Sequence, residues 1–183
     1  MCNHRTYYDP AAVLLDLVRV MIVAKAEISH WPLLGYAMDL TGIIFVQRES
    51  QDSRKATRGA MAEAVEQGLS ILIYPEGTTG DRPISLDFRP GTFATAAKIG
   101  VPIVPLAIEY AEAGDAWVRP DQSFVNHFLH CYRKKKTQVK LRYGPPMMDE
   151  DVNRLRNASK NWIDQNLLEM QAEFGGVPWP STV

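Results

Sequence analysis

The stretch Ser70-Ile-Leu-Ile-Tyr-Pro-Glu-Gly-Thr-Thr79 decides the fold class, because it joins an apolar run to a polar turn. The run that ends at Tyr74 is nearly continuous in apolar residues, which is typical of a strand covered on both faces. A helical pattern precedes it, beginning at Asp52 or Ser53 and ending at Gly68. The apolar face of that helix is formed by Ala60, Met61, Ala64 and Val65. A helix, a buried strand and a polar turn in succession indicate an α/β domain.

The same alternation continues in both directions along the chain. Further strands are predicted at Val20 to Ala24, Ile43 to Val46, Ile103 to Ile108 and Gln138 to Tyr143. The last alternates apolar with charged residues, which is typical of an edge strand. Helices are predicted from Asp9, an N-cap before Pro10, from about Thr92 to Gly100, and from Asp149 to Phe174. We therefore predict a single α/β domain over residues 1–174, with a largely parallel or mixed central sheet flanked by helices, and an irregular tail over residues 175–183.

Composition restricts the function and the compartment. The 183 residues carry a net charge of −1, so the basic excess typical of nucleic-acid binding is absent. Two cysteines without a CxxC pattern favour a reducing compartment. The longest apolar region, Ala11 to Ala24, is broken by Asp16 and Arg19 and is too short to span a bilayer. With no signal peptide pattern either, a cytoplasmic protein is expected, one that meets a membrane only peripherally.

The segment His4-Arg-Thr-Tyr-Tyr-Asp9 separates a histidine and a carboxylate by five positions. An imidazole can take the proton of an alcohol that attacks a carbonyl, and a carboxylate on the far ring nitrogen fixes the tautomer. Taken alone, Asp9 is better explained as a helix cap and His4 as a structural histidine. The motif begins at residue 3, and no strand precedes it to hold it in place.

Two other groups of residues are candidates for binding. Gly77 in the turn after Tyr74 allows close backbone approach, and Thr78 and Thr79 offer hydroxyl groups. An ordinary turn with Glu76 in an ion pair explains this segment as well. Lys25 and Arg48 follow strands and could hold an anionic headgroup, although most such side chains are merely solvated. Further cationic candidates are Arg54, Arg82 and Arg89.

Together these segments resemble the lysophospholipid acyltransferase family. Residues Asn3 to Asp9 are similar to its first motif, His-X4-Asp, and Gly42-Ile-Ile-Phe-Val-Gln-Arg48 to its second. Pro75-Glu-Gly-Thr78 resembles the third motif and Val101-Pro-Ile-Val-Pro105 the fourth. The linking stretch, which runs from Val23-Ala-Lys-Ala-Glu27 to Trp31-Pro-Leu-Leu-Gly35, is also typical. The four motifs follow in the family's order.

The resemblance implies a function and assigns roles. His4 would be the general base and Asp9 its orienting partner. Lys25, Arg48, Glu76, Gly77 and Thr78 would bind the acceptor. The acyl side would be lined by Val101, Pro102, Val104 and Pro105. The donor would be acyl-CoA or acyl-carrier protein, with no metal and no other cofactor, at a membrane surface.

The resemblance favours 1-acyl-glycerol-3-phosphate as the acceptor, but two departures qualify it. Thr79 stands where bacterial lysophosphatidate enzymes often have arginine. This leaves glycerol-3-phosphate, another lysophospholipid or an amino-acid lyso-lipid as alternatives. In addition, the sequence as given shows neither the family's N-terminal helices nor a strand before the first motif. A truncated, non-catalytic lipid-binding module is therefore a second hypothesis. A nucleotide-binding protein is disfavoured, because no GxGxxG or GxxxxGK[ST] pattern occurs.

Two segments are candidates for membrane contact. Trp31-Pro-Leu-Leu34 combines an aromatic with an apolar cluster, and Arg133-Lys-Lys-Lys136 would attract anionic lipid. Packing in the core explains the first equally well, and a solvated turn before the edge strand explains the second. From these segments we predict weak, salt-sensitive membrane binding.

Overall fold

The structure is a computed structural model that describes residues 1–17, 19–25, 44–46, 51–117 and 122–176. In these ranges the chain forms five strands and six helices. In chain order they are α1 (Asp9–Leu14), β1 (Val20–Lys25), β2 (Ile44–Val46), α2 (Gln51–Glu66), β3 (Ser70–Leu72), α3 (Pro90–Ile99), β4 (Leu106–Tyr110), α4 (Ala113–Ala116), α5 (Phe124–Arg133), β5 (Val139–Tyr143) and α6 (Val152–Glu173). They belong to two compact units, one of Met1–Ala12 with Tyr74–Val183 and one of Val13–Ile73.

The Val13–Ile73 unit is built on a parallel sheet of order β2-β1-β3. Val23 of the central strand pairs with Ile44, and Met21 pairs with Ile71. Helix α2 packs against β2 and β3 and buries Met61 and Ala64, as its apolar pattern predicts. The alternation of strand and helix that the sequence predicts is confirmed here.

Strand β4 organises the other unit and is buried along its whole length. One edge pairs antiparallel with β5, in a register that sets Leu106 against Tyr143 and Tyr110 against Val139. The other edge carries the first residues of the chain. The Leu106 amide donates to the Met1 carbonyl over 2.8 Å, and Cys2 forms a parallel bridge with Leu106.

The described strands therefore form two small sheets rather than the one central sheet expected from the sequence. The reason is that both edges of β4 are already occupied, by β5 and by the start of the chain. Strand β4 also begins later than the expected Ile103, because Pro105, just before it, has no N–H to donate to a ladder. Ile103 forms only an isolated bridge with Met147.

Helix α6 covers β4 and α3 and closes the core of this unit. Its apolar stripe, predicted from the sequence, supplies four fully or nearly fully buried side chains: Leu155, Ile163, Leu167 and Met170. The helix begins after Asp151, whose carboxylate accepts from the amides of Asn153 and Arg154 over 2.9 and 3.1 Å. It is long, but neither it nor any other helix in the described ranges is apolar enough to cross a membrane.

Helices α4 and α5 were not predicted. Helix α5 has a helix-start signal, because Ser123 Oγ accepts from the Asn126 amide over 3.2 Å. Its apolar residues Phe124, Val125, Phe128 and Leu129 also recur at helical spacing, so the sequence does carry the periodicity of this helix. Arg133, expected in a turn, is the last residue of α5.

Gly144→Ala is expected to lower the free energy of unfolding by about 1–3 kcal/mol, because the site has no room for a methyl group. A Cβ there would lie 2.6 Å from Pro105 Cγ and 2.8 Å from Trp162 Cε2. Gly91→Ala is the matched control, since no described atom lies within 4 Å of its Cβ position. Urea unfolding measures both variants, and equal stabilities for the two would contradict the close packing of Gly144.

Candidate active site

The His4–Asp9 segment folds into a tight loop that leads into α1. His4 Nδ1 lies 2.9 Å from Asp9 Oδ2, so the pair that the sequence separates by five positions is in direct contact. The Asp9 side chain is fully buried, whereas the His4 side chain is 20% exposed. One member of the pair is thus fixed inside the protein, and the other is accessible from outside.

Asp9 is held by a complete set of hydrogen bonds. Besides His4, its Oδ2 accepts from the backbone amides of Arg5 and Thr6 over 2.6 and 3.0 Å, and Oδ1 accepts from the Tyr110 hydroxyl over 2.7 Å. A carboxylate with four such donors can only accept, so His4 Nδ1 carries the proton and Nε2 is left as an acceptor. This tautomer is the one that general-base catalysis requires.

Asp9 does not cap the helix, contrary to the sequence-based interpretation. The amides of Ala11 and Ala12 both donate to the Tyr8 carbonyl. Because the Asp9 side chain bonds to amides upstream of itself, it closes the loop rather than the helix end. Tyr110 beneath it remains a donor, since burial, and next the nearby Asp9 charge, raises the pKa of its hydroxyl.

The loop rests on strand β4. Asn3 makes two bonds with the backbone of Ile108: its side-chain amide donates over 3.0 Å and its side-chain oxygen accepts over 2.8 Å. The support for the motif, which the sequence showed no preceding strand to supply, therefore comes from a strand about a hundred residues later.

The turn after Tyr74 forms the other wall of the site. The Tyr74 ring stacks on the His4 imidazole with centroids 4.2 Å apart and an angle of 25° between the planes. Glu76 is buried, and its two carboxylate oxygens accept from the amides of His4 over 2.7 Å and Leu86 over 2.6 Å. Burial raises the pKa of Glu76, and these amide bonds oppose that rise. The Gly80 amide donates in turn to the His4 carbonyl over 2.7 Å.

The remaining residues of this turn differ in accessibility. Gly77 is buried and has a φ of 78°, a left-handed conformation that favours glycine. Thr78 is exposed. The turn therefore brings Glu76 and Gly77 against the histidine loop and leaves Thr78 open to solvent.

The predicted cationic residues are brought together only in part. Lys25 ends β1 in the other unit, and Arg48 lies outside the described residues. Arg54 lies in α2, also in the other unit. Arg82 and Arg89 are exposed, and the Arg89 amide donates to the Pro75 carbonyl over 3.0 Å. Arg89 is thus the cation tied directly to the third motif.

The predicted acyl-side segment precedes β4. Val101 is partly buried against the hydrophobic core, and Pro105 is buried, its carbonyl accepting from the Gly144 amide over 2.8 Å. Pro102 and Val104 are exposed. The segment offers an apolar surface at the end of β4 where the first residues of the chain are also bound. Within the described residues no cluster of three or more His, Cys, Asp or Glu side chains could hold a metal ion.

Sequence reasoning missed a buried ion pair beneath the loop. Arg5 is almost fully buried and donates to Glu109 Oε2 over 2.8 Å and to the Arg82 and Pro83 carbonyls over 2.5 and 3.0 Å. Gln171 of α6 donates to the same Glu109 oxygen over 2.8 Å. The available signal was Glu109 itself, a charged residue inside an otherwise apolar strand.

Arg5→Met is expected to lower the free energy of unfolding by about 3–5 kcal/mol, because it leaves a buried carboxylate without its cation. Burial already raises the pKa of Glu109, and Arg5 opposes that rise. Without Arg5 the pKa of Glu109 rises further, so the stability of the variant is retained at low pH and lost as the pH rises through that pKa. In urea unfolding, the variant should therefore lose less free energy of unfolding, relative to the unsubstituted chain, at pH 5 than at pH 8.

Two further variants control this prediction. Arg142→Met breaks exposed ion pairs with Glu169 and Glu173 and is expected to cost no more than about 1 kcal/mol. Adding Glu109→Gln to Arg5→Met should restore part of the lost free energy of unfolding, because the buried carboxylate is then removed as well. An Arg5→Met variant as stable as Arg142→Met would contradict a structural role for the buried pair.

Comparison with known proteins identifies the family. A family model described as Acyltransferase matches residues 1–109, and the chain belongs to this family. The chain is 29% identical over 158 residues to a lyso-ornithine lipid O-acyltransferase of Pseudomonas aeruginosa, which covers 84% of this chain and 60% of that protein. A protein of the same name from Rhizobium meliloti is 27% identical, with 93% of this chain and 64% of that protein covered.

The fold also matches a solved structure, the 1-acyl-sn-glycerophosphate (LPA) acyltransferase PlsC from Thermotoga maritima. The TM-score is 0.66 at 20% identity, and the match covers 93% of this chain and 65% of that one. At this identity the likeness establishes the α/β fold. The chain spans less than two thirds of the length of these relatives.

Proposed function

We propose that the chain transfers a fatty acyl group from acyl-CoA or acyl-carrier protein to the free hydroxyl of a lyso-lipid. The observation that carries this proposal is the His4–Asp9 pair, in which a fully hydrogen-bonded carboxylate fixes the tautomer of a partly accessible imidazole. Membership of the Acyltransferase family supports the reaction type.

In the proposed mechanism His4 acts as a general base. Its Nε2 takes the proton of the acceptor hydroxyl as the oxygen attacks the thioester carbonyl, and Asp9 stabilises the resulting imidazolium. The new C–O bond forms, the C–S bond breaks, and the imidazolium returns the proton to the departing thiolate. The substrate hydroxyl thus takes the place of a serine nucleophile.

Glu76 and Gly77 serve this mechanism as positioning residues. Because each Glu76 oxygen accepts from a backbone amide and the residue is buried, we assign Glu76 to holding the His4 loop. The headgroup of the acceptor would then be bound by cationic side chains and by the exposed Thr78. Arg89 is the first candidate, since its backbone is bonded to Pro75 of the same turn. Lys25 and Arg48 remain candidates from the motif resemblance.

The acceptor proposed first is a lyso-ornithine lipid. Two relatives that cover most of this chain carry that activity in their names. Thr79 supports the same choice, because arginine is frequent at this position in bacterial lysophosphatidate enzymes. The relatives thus favour the alternative acceptor over the 1-acyl-glycerol-3-phosphate that the sequence motifs first suggest.

A panel of acceptors tests the proposal. The chain is incubated with radiolabelled acyl-CoA or acyl-carrier protein and with lyso-ornithine lipid, 1-acyl-glycerol-3-phosphate, lysophosphatidylcholine or glycerol-3-phosphate, and products are separated by thin-layer chromatography. We expect the highest kcat/KM with lyso-ornithine lipid. A higher value with the phosphate acceptor would overturn the choice of acceptor. A folded chain that binds these lipids but acylates none would support a lipid-binding module instead.

A further inference from the structure

The outward face of α5 combines apolar and basic side chains. Val125 is 60% exposed and Leu129, one turn later, is 43% exposed, while Arg133 extends the same face by another turn. Lys135 and Lys136 follow the helix and are exposed as well. Exposed apolar residues beside a basic end are the pattern of a helix that lies in a membrane interface.

The C-terminal end of α5 and the residues after it carry a net positive charge, although not every lysine contributes to it. Lys134 is neutralised, because it lies 2.6 Å from a carboxylate oxygen of Asp115 and 3.0 Å from one of Glu112. No carboxylate of the described part of the chain lies within ion-pair distance of Arg133, Lys135 or Lys136. Three positive charges are thus available to a negatively charged partner.

These residues also border a groove of about 410 Å³. Its walls are formed by Asn126, Leu129, His130, Arg133 and Lys134. The groove mixes an apolar side chain with nitrogen donors, which suits a headgroup with an acyl chain below it. It runs along the same side of α5 as the exposed apolar residues.

The inward face of α5 is fixed to the histidine loop. The Tyr7 ring packs edge-on against Phe124 with centroids 4.8 Å apart, and the Tyr7 hydroxyl lies 3.2 Å from His127 Nδ1. Tyr8 bonds to the Asp115 carbonyl of α4 and lies 3.8 Å from Cys131 Sγ. Both tyrosines stand between His4 and Asp9, so α5 and the candidate active site form one packed structure.

We propose that this face of α5, defined by Val125, Leu129, Arg133, Lys135 and Lys136, docks the chain on an anionic lipid bilayer. Charge complementarity selects the occupant, since exposed leucine and valine beside three available cations match acyl chains beneath anionic headgroups. Docking by this face leaves the His4–Asp9 loop about one helix diameter, roughly 10–12 Å, from the headgroups.

Co-sedimentation with vesicles tests the docking surface without any catalytic step. The whole chain is mixed with vesicles of zwitterionic lipid or of zwitterionic lipid with about one third phosphatidylglycerol. We expect binding to the anionic vesicles to be at least tenfold tighter and to weaken with salt, since each cation near the surface contributes about a fivefold factor. Leu129→Glu and the double variant K135E/K136E should each lower the partition coefficient at least fivefold.

Matched variants control for exposure and charge. Leu168 of α6 is 51% exposed, so Leu168→Glu controls for Leu129→Glu. The double variant R58E/K98E changes two exposed cations elsewhere and controls for K135E/K136E. Both controls should bind like the unsubstituted chain, and far-ultraviolet circular dichroism checks that all variants fold.

Three outcomes would overturn the proposal: no vesicle binding at low salt, equal binding to both kinds of vesicle, or equal loss in the surface and control variants. A chain that instead dimerises through this face, with Leu129→Glu abolishing the dimer in analytical ultracentrifugation, would also overturn it. His4→Ala should bind vesicles normally. Failure of the proposed catalysis and failure of the docking surface are therefore distinguishable.

Discussion

His4→Ala is expected to lower the rate of acyl transfer about 10²- to 10⁴-fold, because it removes the only imidazole bonded to Asp9 in the described structure. The substitution should lower kcat rather than weaken acceptor binding, because the base acts in the transition state of proton transfer and other residues hold the acceptor headgroup. The stacking of His4 on Tyr74 contributes at most about 1.5 kcal/mol, so the variant should remain folded.

Steady-state kinetics with the preferred acceptor measure the effect, and urea unfolding of the same sample provides the control. Added imidazole should restore part of the rate, because a small base can enter the space that the side chain leaves. Activity within a few fold of the unsubstituted chain would exclude His4 as the general base.

Asp9→Asn is expected to reduce kcat by roughly 10³- to 10⁴-fold, comparable to the loss of the carboxylate in a serine-histidine-aspartate triad. If the amide nitrogen faces His4, it donates to Nδ1, which moves the imidazole proton to Nε2 and removes the acceptor. If the amide oxygen faces His4, the tautomer is kept, but no charge stabilises the imidazolium. In both orientations proton transfer from the acceptor becomes unfavourable.

The same substitution should also cost stability, about 1–3 kcal/mol. A helix cap would tolerate asparagine, but Asp9 accepts from two loop amides and from the Tyr110 hydroxyl, and an amide cannot accept at both ends. The double variant D9N/Y110F removes the mismatched hydroxyl and should recover part of the stability while leaving the rate low. Recovery of activity together with stability would indicate that Asp9 acts only through the fold.

The regular elements were predictable where periodicity is local and uninterrupted. The pattern before Gly68 locates α2, and the stripe from Leu155 to Met170 locates α6. The pairing of His4 with Asp9 was predictable from the resemblance of residues 3–9 to the family's first motif, since their spacing alone is also compatible with a helix cap and a structural histidine. Helix α5 carries an apolar helical period too, but the sequence does not show that its His127 packs against Tyr7.

The support of the site could not be read from the sequence for a different reason. Glu76 binds backbone amides, which leave no trace in side-chain patterns. Asn3 bonds to Ile108, and nothing near either residue specifies the other. Local patterns therefore indicate the candidate residues, whereas their scaffold depends on contacts between distant parts of the chain.

The bonds between Asn3 and Ile108 join residues 105 positions apart, which bears on the order in which the parts of the candidate site form. Contacts of such separation carry a large loop-closure entropy and form late compared with local helices. During synthesis the histidine loop emerges before β4, and it stays without this scaffold until β4 has left the ribosome. A nascent chain can hold complete α1, β1 and α2 segments while the His4–Asp9 pair still lacks this support. We therefore expect the candidate pair to become organised only after β4 has been synthesised.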